Sequence, residues 1–131
     1  MDKKEVLLTF ANKFEGELKA PHANALIGSD EGTLAPYDML LGALGSCLYA
    51  TFLDIARKKR IGYERAEIKV TGEKRTEVPT TLKWVHVEFR IFKAEKELGL
   101  EQGAKLATEY CSIYQTISHV AEMSYEIVFE N

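Results

Sequence analysis

The side chains best suited to covalent chemistry are two thiols, Cys47 and Cys111, with His22, His86 and His119 as the imidazoles. A thiolate is both a nucleophile and a two-electron redox centre, so the pair could do substitution or disulfide chemistry. Other sites fail on spacing. The histidines are scattered and the cysteines stand 64 residues apart, so there is no CxxC knuckle and no close histidine pair to hold a metal. Neither a GxxxxGK phosphate loop nor a GxGxxG dinucleotide turn occurs. Ser46 lies in Leu44-Gly45-Ser46-Cys47-Leu48, which is not the GxSxG elbow of serine hydrolases. A Cys–His hydrolase would pair one thiol with one histidine, and nothing in the sequence chooses between them.

The two thiols have different surroundings. Taken alone, Cys47 reads as a small buried hydrophobe. Its neighbours Gly42, Ala43, Gly45 and Ser46 strip bulk from the preceding turn, which leaves room for another element or a substrate. In mid-helix it gains nothing from a helix N-terminus, so a reactive thiolate there needs an external cation or hydrogen-bond donors. Cys111 differs: if a helix breaks near Tyr110 and restarts at Ser112, free N–H groups at the new start would stabilise a thiolate at Cys111.

The elements that must hold these thiols follow from periodicity. Val6, Leu8 and Phe10 alternate with more polar neighbours, Phe14–Ala20 continues after a turn near Asn12, and His22–Gly28 follows Pro21, which suggests an antiparallel meander. Gly28–Thr33 is a loop, and Pro36 suits the first turn of a helix running to about Arg60. Leu40, Leu41, Leu44, Cys47, Leu48, Phe52 and Ile55 form its broad stripe, while Met39, Ala43, Ser46, Ala50 and Leu53 fill most of the rest. A helix apolar nearly all round must be covered on both sides. Arg57-Lys58-Lys59-Arg60 followed by Gly62 reads as a solvated helix end.

Ala66–Arg75 and Leu82–Phe92 read as two strands joined across Val78-Pro79-Thr80, with Val85, Val87, Phe89 and Ile91 on one face. The lone Trp84 is simplest as strand packing. Leu98 to about Tyr110 reads as helix, Ile113 and Ile117 extend its pattern, and Ser124–Phe129 closes as a strand. The expected class is α+β in the order βββ-α-ββ-α-β, one domain of residues 1–131.

Composition narrows the partners. With 17 basic against 20 acidic residues the chain does not advertise the basic face of a nucleic-acid binder. Its 46% apolar content is that of a chain with a core, and 131 residues bury roughly two thirds of the unfolded surface, so size alone does not require a partner subunit. The first ten residues lack a signal-peptide core, which reads as cytoplasmic. The uncharged run Met39–Leu53 would be about 22 Å long as a helix against about 30 Å of hydrocarbon, so no membrane is expected as a partner.

Two segments carry a resemblance. Ala35-Pro36-Tyr37-Asp38-Met39-Leu40-Leu41-Gly42-Ala43-Leu44-Gly45-Ser46-Cys47 is similar to the proline, acidic pair, apolar run and small-Ser-Cys ending of the OsmC/Ohr family of hydroperoxide-reducing proteins. Glu109-Tyr110-Cys111-Ser112-Ile113-Tyr114-Gln115-Thr116-Ile117 looks like that family's second-cysteine segment, and the element order agrees. The resemblance implies an OsmC-like fold and an intertwined homodimer with central cysteine-bearing helices and sites at the subunit interface. It also implies a thiol-dependent hydroperoxide reductase in oxidative-stress defence. Cys47 would attack the peroxide, Cys111 would resolve the sulfenic acid to a disulfide, and an external dithiol would reduce it. No metal, flavin or haem cofactor is implied.

The chain also departs from the family pattern. Well-characterised family peroxidases carry a glutamate ten residues before the first cysteine and an arginine from the N-terminal strands. Here position 37 is Tyr37, and the first arginine is Arg57. Asp38, Lys19 and His22 are the nearest substitutes, although lysine cannot reproduce the planar fork of arginine. Ser112 stands where many relatives have proline. Tyr37, Tyr49 and Tyr114 are candidates to line an apolar pocket near the thiols, with ordinary core packing as their simpler role. The departures support a second expectation, an OsmC-like dimer that binds or senses a small apolar or thiol-reactive molecule without efficient peroxidase activity. A redox-sensitive structural dimer is a third.

Overall fold

Strict alternation along Leu82–Phe92 sends Val85, Val87, Phe89 and Ile91 to one face, and all four are fully buried in the computed structural model, which describes residues 2–131. The elements run β1 (Leu7–Phe10), β2 (Glu15–Lys19), β3 (Asn24–Gly28), α1 (Pro36–Lys59), β4 (Arg65–Lys74), β5 (Leu82–Phe92), α2 (Glu97–Tyr110), α3 (Ser112–Ser118) and β6 (Glu122–Glu130). The class is α+β as expected, except that the second helix is two helices broken at Cys111. The chain divides into two units, one up to Leu40 and one from Leu41 to Asn131.

The first unit holds the expected meander, an antiparallel sheet in the order β1-β2-β3. Its strands are short, and Leu7, Leu8, Phe10 and Leu26 stay exposed. The start of α1 also belongs here. The Asp38 carboxylate accepts the Ala35 N–H at 3.0 Å, satisfying a donor at the helix N-terminus as the acidic half of a capping box does.

In the second unit β5 is the central strand, antiparallel to β4 and parallel to β6. Ile68 lies opposite Phe89 and Val70 opposite Val87, so the apolar positions of β4 and β5 share a face. The other face is polar. There Trp84 Nε1 donates to Glu73 at 3.0 Å, His86 bonds Ser124 and Glu126, and Arg90 pairs with Glu88 and Glu130.

Leu44, Gly45, Leu48, Phe52 and Ala56 form the buried stripe of α1. Gly45 is there because a Cβ would stand 3.1 Å from Val70 Cγ2, so the helix comes down close on β4. Phe52 meets Phe89 of β5 with ring centroids 5.3 Å apart, and a Cβ on Gly103 of α2 would touch Ile55 and Phe52. Leu40, expected on the stripe, is exposed. At 24 residues α1 is long and apolar enough to cross a membrane by length and composition, unlike the shorter uncharged run inside it. Its Leu44–Ala56 stripe is instead part of this unit's core.

The helix stops as its basic end suggested, but not on glycine. Arg60 takes the left-handed conformation at φ 60°, with Ile61 N–H bonded to Ala56 O and Arg60 N–H to Arg57 O, a Schellman motif. Gly62 serves elsewhere, donating its N–H to Glu95 Oε1 at 2.6 Å.

Candidate functional site

Cys47 sits in the middle of α1, one residue before buried Leu48, and is half-buried. Cys111 is fully buried between α2 and α3. The two thiols are free and their Sγ atoms lie 3.2 Å apart. That separation is a contact between reduced sulfurs, well beyond the roughly 2.05 Å of a disulfide bond.

The break between α2 and α3 is what equips this pair. Cys111 has φ −69° and ψ 116°, extended rather than helical. Its own N–H still closes α2 on Ala107 O at 2.8 Å, and its C=O starts α3 by accepting from Gln115 N–H at 3.0 Å. A continuous helix would bond the N–H groups of Ser112 and Ile113 to the carbonyls of Thr108 and Glu109. The break frees both. Thr108 O is taken instead by the Gln115 side-chain amide at 2.9 Å, so the α2 terminus is not left unsatisfied.

The freed donors of α3 are shared between the two sulfurs. Tyr114 N–H points at Cys111 Sγ at 3.4 Å, so Cys111 caps α3 with sulfur as serine would with oxygen. The N–H groups of Ile113 and Ser112 and the Ser112 hydroxyl serve Cys47, with the Cys111 thiol as a further donor. Burial pushes the Cys47 thiol up, but these donors outweigh it and hold the thiol below its ordinary value. Cys111 goes the other way. Burial pushes it up, and the neighbouring Cys47 adds to the rise against the Tyr114 N–H.

The sequence reading is thereby corrected in one respect. The helix does restart at Ser112 and its N–H groups do reach Cys111, but burial and the neighbouring Cys47 outweigh them there, and the thiol held below its ordinary value is Cys47. Cys47 finds the outside donors that its mid-helix position requires. Ser112 and Ile113 had no sign in their residue types of donating to a sulfur 64 residues from Cys111; the one available clue was a serine following a cysteine at a helix start.

The other candidates fall in different places. Tyr114 is buried beside the pair, its phenol pushed up by burial, by Tyr125 and by Cys111. Tyr49 is part of a core aromatic cluster: its hydroxyl lies 2.8 Å from that of Tyr63, and its ring leans on Phe52. Tyr37 is half-buried in the first turn of α1. In the first unit Asp38 caps α1, Lys19 faces Glu17 at 3.8 Å on the surface, and His22 is exposed in the bend before β3. His119 closes α3. Among the described residues no cluster of histidine, cysteine and carboxylate side chains could hold a metal ion.

Comparison with known proteins agrees with this arrangement. The model of the OsmC-like protein family matches residues 28–126. Protein YhfA of Escherichia coli K12 is 28% identical over 120 residues, covering 88% of this chain and 90% of YhfA. A hypothetical protein from Aquifex aeolicus superposes with a TM-score of 0.86 at 28% identity, with both chains fully covered. The organic hydroperoxide resistance protein OhrB of Bacillus subtilis has the same fold at 15% identity, with a TM-score of 0.64 over 94% of this chain and 97% of OhrB. A paired-thiol site set between a long core helix and a broken second helix, on a fold whose family model spans three quarters of the sequence, makes this chain a member of the OsmC-like protein family.

Proposed function

We propose that the chain is a thiol-dependent hydroperoxide reductase in which Cys47 attacks and Cys111 resolves. The observation that carries this reading is the asymmetry of two free thiols in contact: one held toward the thiolate by four donors, the other kept protonated by burial. The Cys47 thiolate attacks the distal peroxide oxygen; an S–O bond forms, the O–O bond breaks, and the alcohol leaves with a proton. The Cys111 sulfur then attacks the Cys47 sulfenic acid, forming the S–S bond and expelling water. An external dithiol reduces the disulfide, and no metal or organic cofactor takes part. The hydroperoxide resistance named for OhrB, which shares the fold, supports the same substrate class.

The working form in this reading is a cytoplasmic homodimer. Exposed Leu7, Leu8, Phe10 and Leu26 on the first sheet, and the exposed small residues Gly42, Ser46 and Ala50 along α1, are surfaces that a second copy would cover. A second reading, a dimer that binds or senses a small apolar or thiol-reactive molecule, is favoured by Tyr37 and by the lack of any arginine before Arg57.

Stopped-flow mixing of the reduced protein with cumene hydroperoxide and with hydrogen peroxide separates the two readings, with the Cys47–Cys111 disulfide followed by mass spectrometry. Fast stoichiometric oxidation, faster with the organic peroxide, is the expected result. Oxidation no faster than that of a free thiol would sink the reductase reading and leave the binding dimer.

A further inference from the structure

We infer that Cys47 and Cys111 form a chelating dithiol site for trivalent arsenic, each sulfur giving one bond to the same arsenic atom. The inference rests on the contact between the two sulfurs and not on the reductase reading.

The geometry selects the central atom. Both thiols are free, and their Sγ atoms stand 3.2 Å apart. Bonds of about 2.3 Å to each sulfur, the length a thiolate makes to zinc, close on that 3.2 Å separation with an angle of about 90° at the atom between them. Tetrahedral zinc would spread two thiolates to about 3.8 Å and asks for four donors. Among the described residues no three histidine, cysteine or carboxylate side chains come together to supply them. A soft ion in linear two-coordination would need its sulfurs about 4.6 Å apart. Trivalent arsenic bonds through its p orbitals, nearly at right angles, and completes its pyramid with one further group, an aryl carbon or a hydroxide. Two thiols therefore suffice for it.

The fold holds both sulfurs in place. Cys47 lies in the middle of α1, while the Cys111 N–H is bonded to Ala107 O at 2.8 Å and its C=O accepts the Gln115 N–H at 3.0 Å. A chelate closed between such fixed elements loses little conformational freedom. Half-buried Cys47 is the point of entry, and fully buried Cys111 closes the ring. The step needs no oxidant. With phenylarsine oxide, two As–S bonds form, the As–O bond breaks, and the two thiol protons leave with the oxygen as water, so sulfur and arsenic keep their oxidation states.

The experiment titrates the reduced protein with phenylarsine oxide, with no peroxide present, and reads the complex by native mass spectrometry. The wild type is expected to take up one phenylarsenic group per chain with loss of water and to keep it in excess mercaptoethanol. Dimercaptopropanol, whose own two thiols compete as a chelate, should remove it. Cys47→Ser and Cys111→Ser should each bind at least about a hundredfold more weakly, because a single thiol forfeits the effective concentration of the second. Retention by either single variant equal to that of the wild type, or release from the wild type by mercaptoethanol, overturns the chelate. If circular dichroism shows that Cys111→Ser does not fold, Cys47→Ser and the mercaptoethanol challenge decide. A protein that reduces peroxide but releases the arsenical loses the dithiol site and keeps the reductase reading; one that holds the arsenical but does not reduce peroxide does the reverse.

Discussion

Cys47 and Cys111 touch through sulfur at 3.2 Å, yet their protonation equilibria are pushed in opposite directions. The cause is burial set against donors: at Cys111, the more deeply buried of the two, burial and the neighbouring Cys47 outweigh the N–H groups of Tyr114 and Ile113, whereas at Cys47 the donors of Ile113, Ser112 and Cys111 outweigh burial. In the proposed cycle this difference sets the attacking thiol apart from the resolving one.

Single cysteine variants should not be equivalent. Cys47→Ser is expected to abolish peroxide consumption, whereas Cys111→Ser should complete one turnover and stall with Cys47 as the sulfenic acid, trapped by dimedone and seen by mass spectrometry. Wild-type consumption by both variants would refute the assignment of the two roles.

The Cys111 thiol is one of the donors that lower Cys47, and the sign of its removal follows. Without that donor the Cys47 thiolate is less favoured, so its pKa rises and its alkylation profile shifts to higher pH in Cys111→Ala. Cys111→Ser keeps an O–H donor and should shift less. In Cys47→Ser, Cys111 loses the neighbour that raises it but stays buried, so it should alkylate slowly and only at alkaline pH. Peptide-resolved alkylation rates from about pH 5 to about pH 10 measure both effects.

The Tyr49–Tyr63 contact should be structural. The hydroxyls bond at 2.8 Å, and burial together with Tyr49 pushes the Tyr63 phenol well up, so the Tyr63 ring stays neutral through the physiological range. A double-mutant cycle with Tyr49→Phe and Tyr63→Phe, read by urea denaturation, is expected to give a coupling of about 1 kcal/mol. A coupling near zero would mean that the pair adds nothing to stability.

Phe52 is the largest load on the core. It is fully buried and packs against Tyr49, Tyr63 and Phe89. Phe52→Ala should cost about 3–5 kcal/mol in denaturant unfolding, while Phe52→Leu, which keeps most of the volume, should cost clearly less. Equal costs would show that the aromatic cluster is not what the site requires.

Much of this was legible in the sequence because it depends on neighbours along the chain. The alternation of Leu82–Phe92 appears as β5 with the same bounds, and Pro36 opens α1, which ends at Lys59, one residue before its expected limit. The helix break was legible only as a condition, a break near Tyr110 with a restart at Ser112, and the structure meets that condition. The left-handed Arg60 was not, because the sequence offered Gly62 for that role and the Schellman bonds to Ala56 and Arg57 closed two residues earlier.

By itself the sequence determined the local elements, the α+β order and the pair of thiols, since periodicity, turn chemistry and residue type act over a few residues. Only the tertiary structure decided that β6 runs parallel beside β5, that Tyr49 joins a core cluster, and which of the two thiols is held below its ordinary value. Those outcomes require segments far apart in the chain to meet. A hydrogen bond is set by direction and a distance of a few ångströms, and neither can be read from a separation of 64 residues.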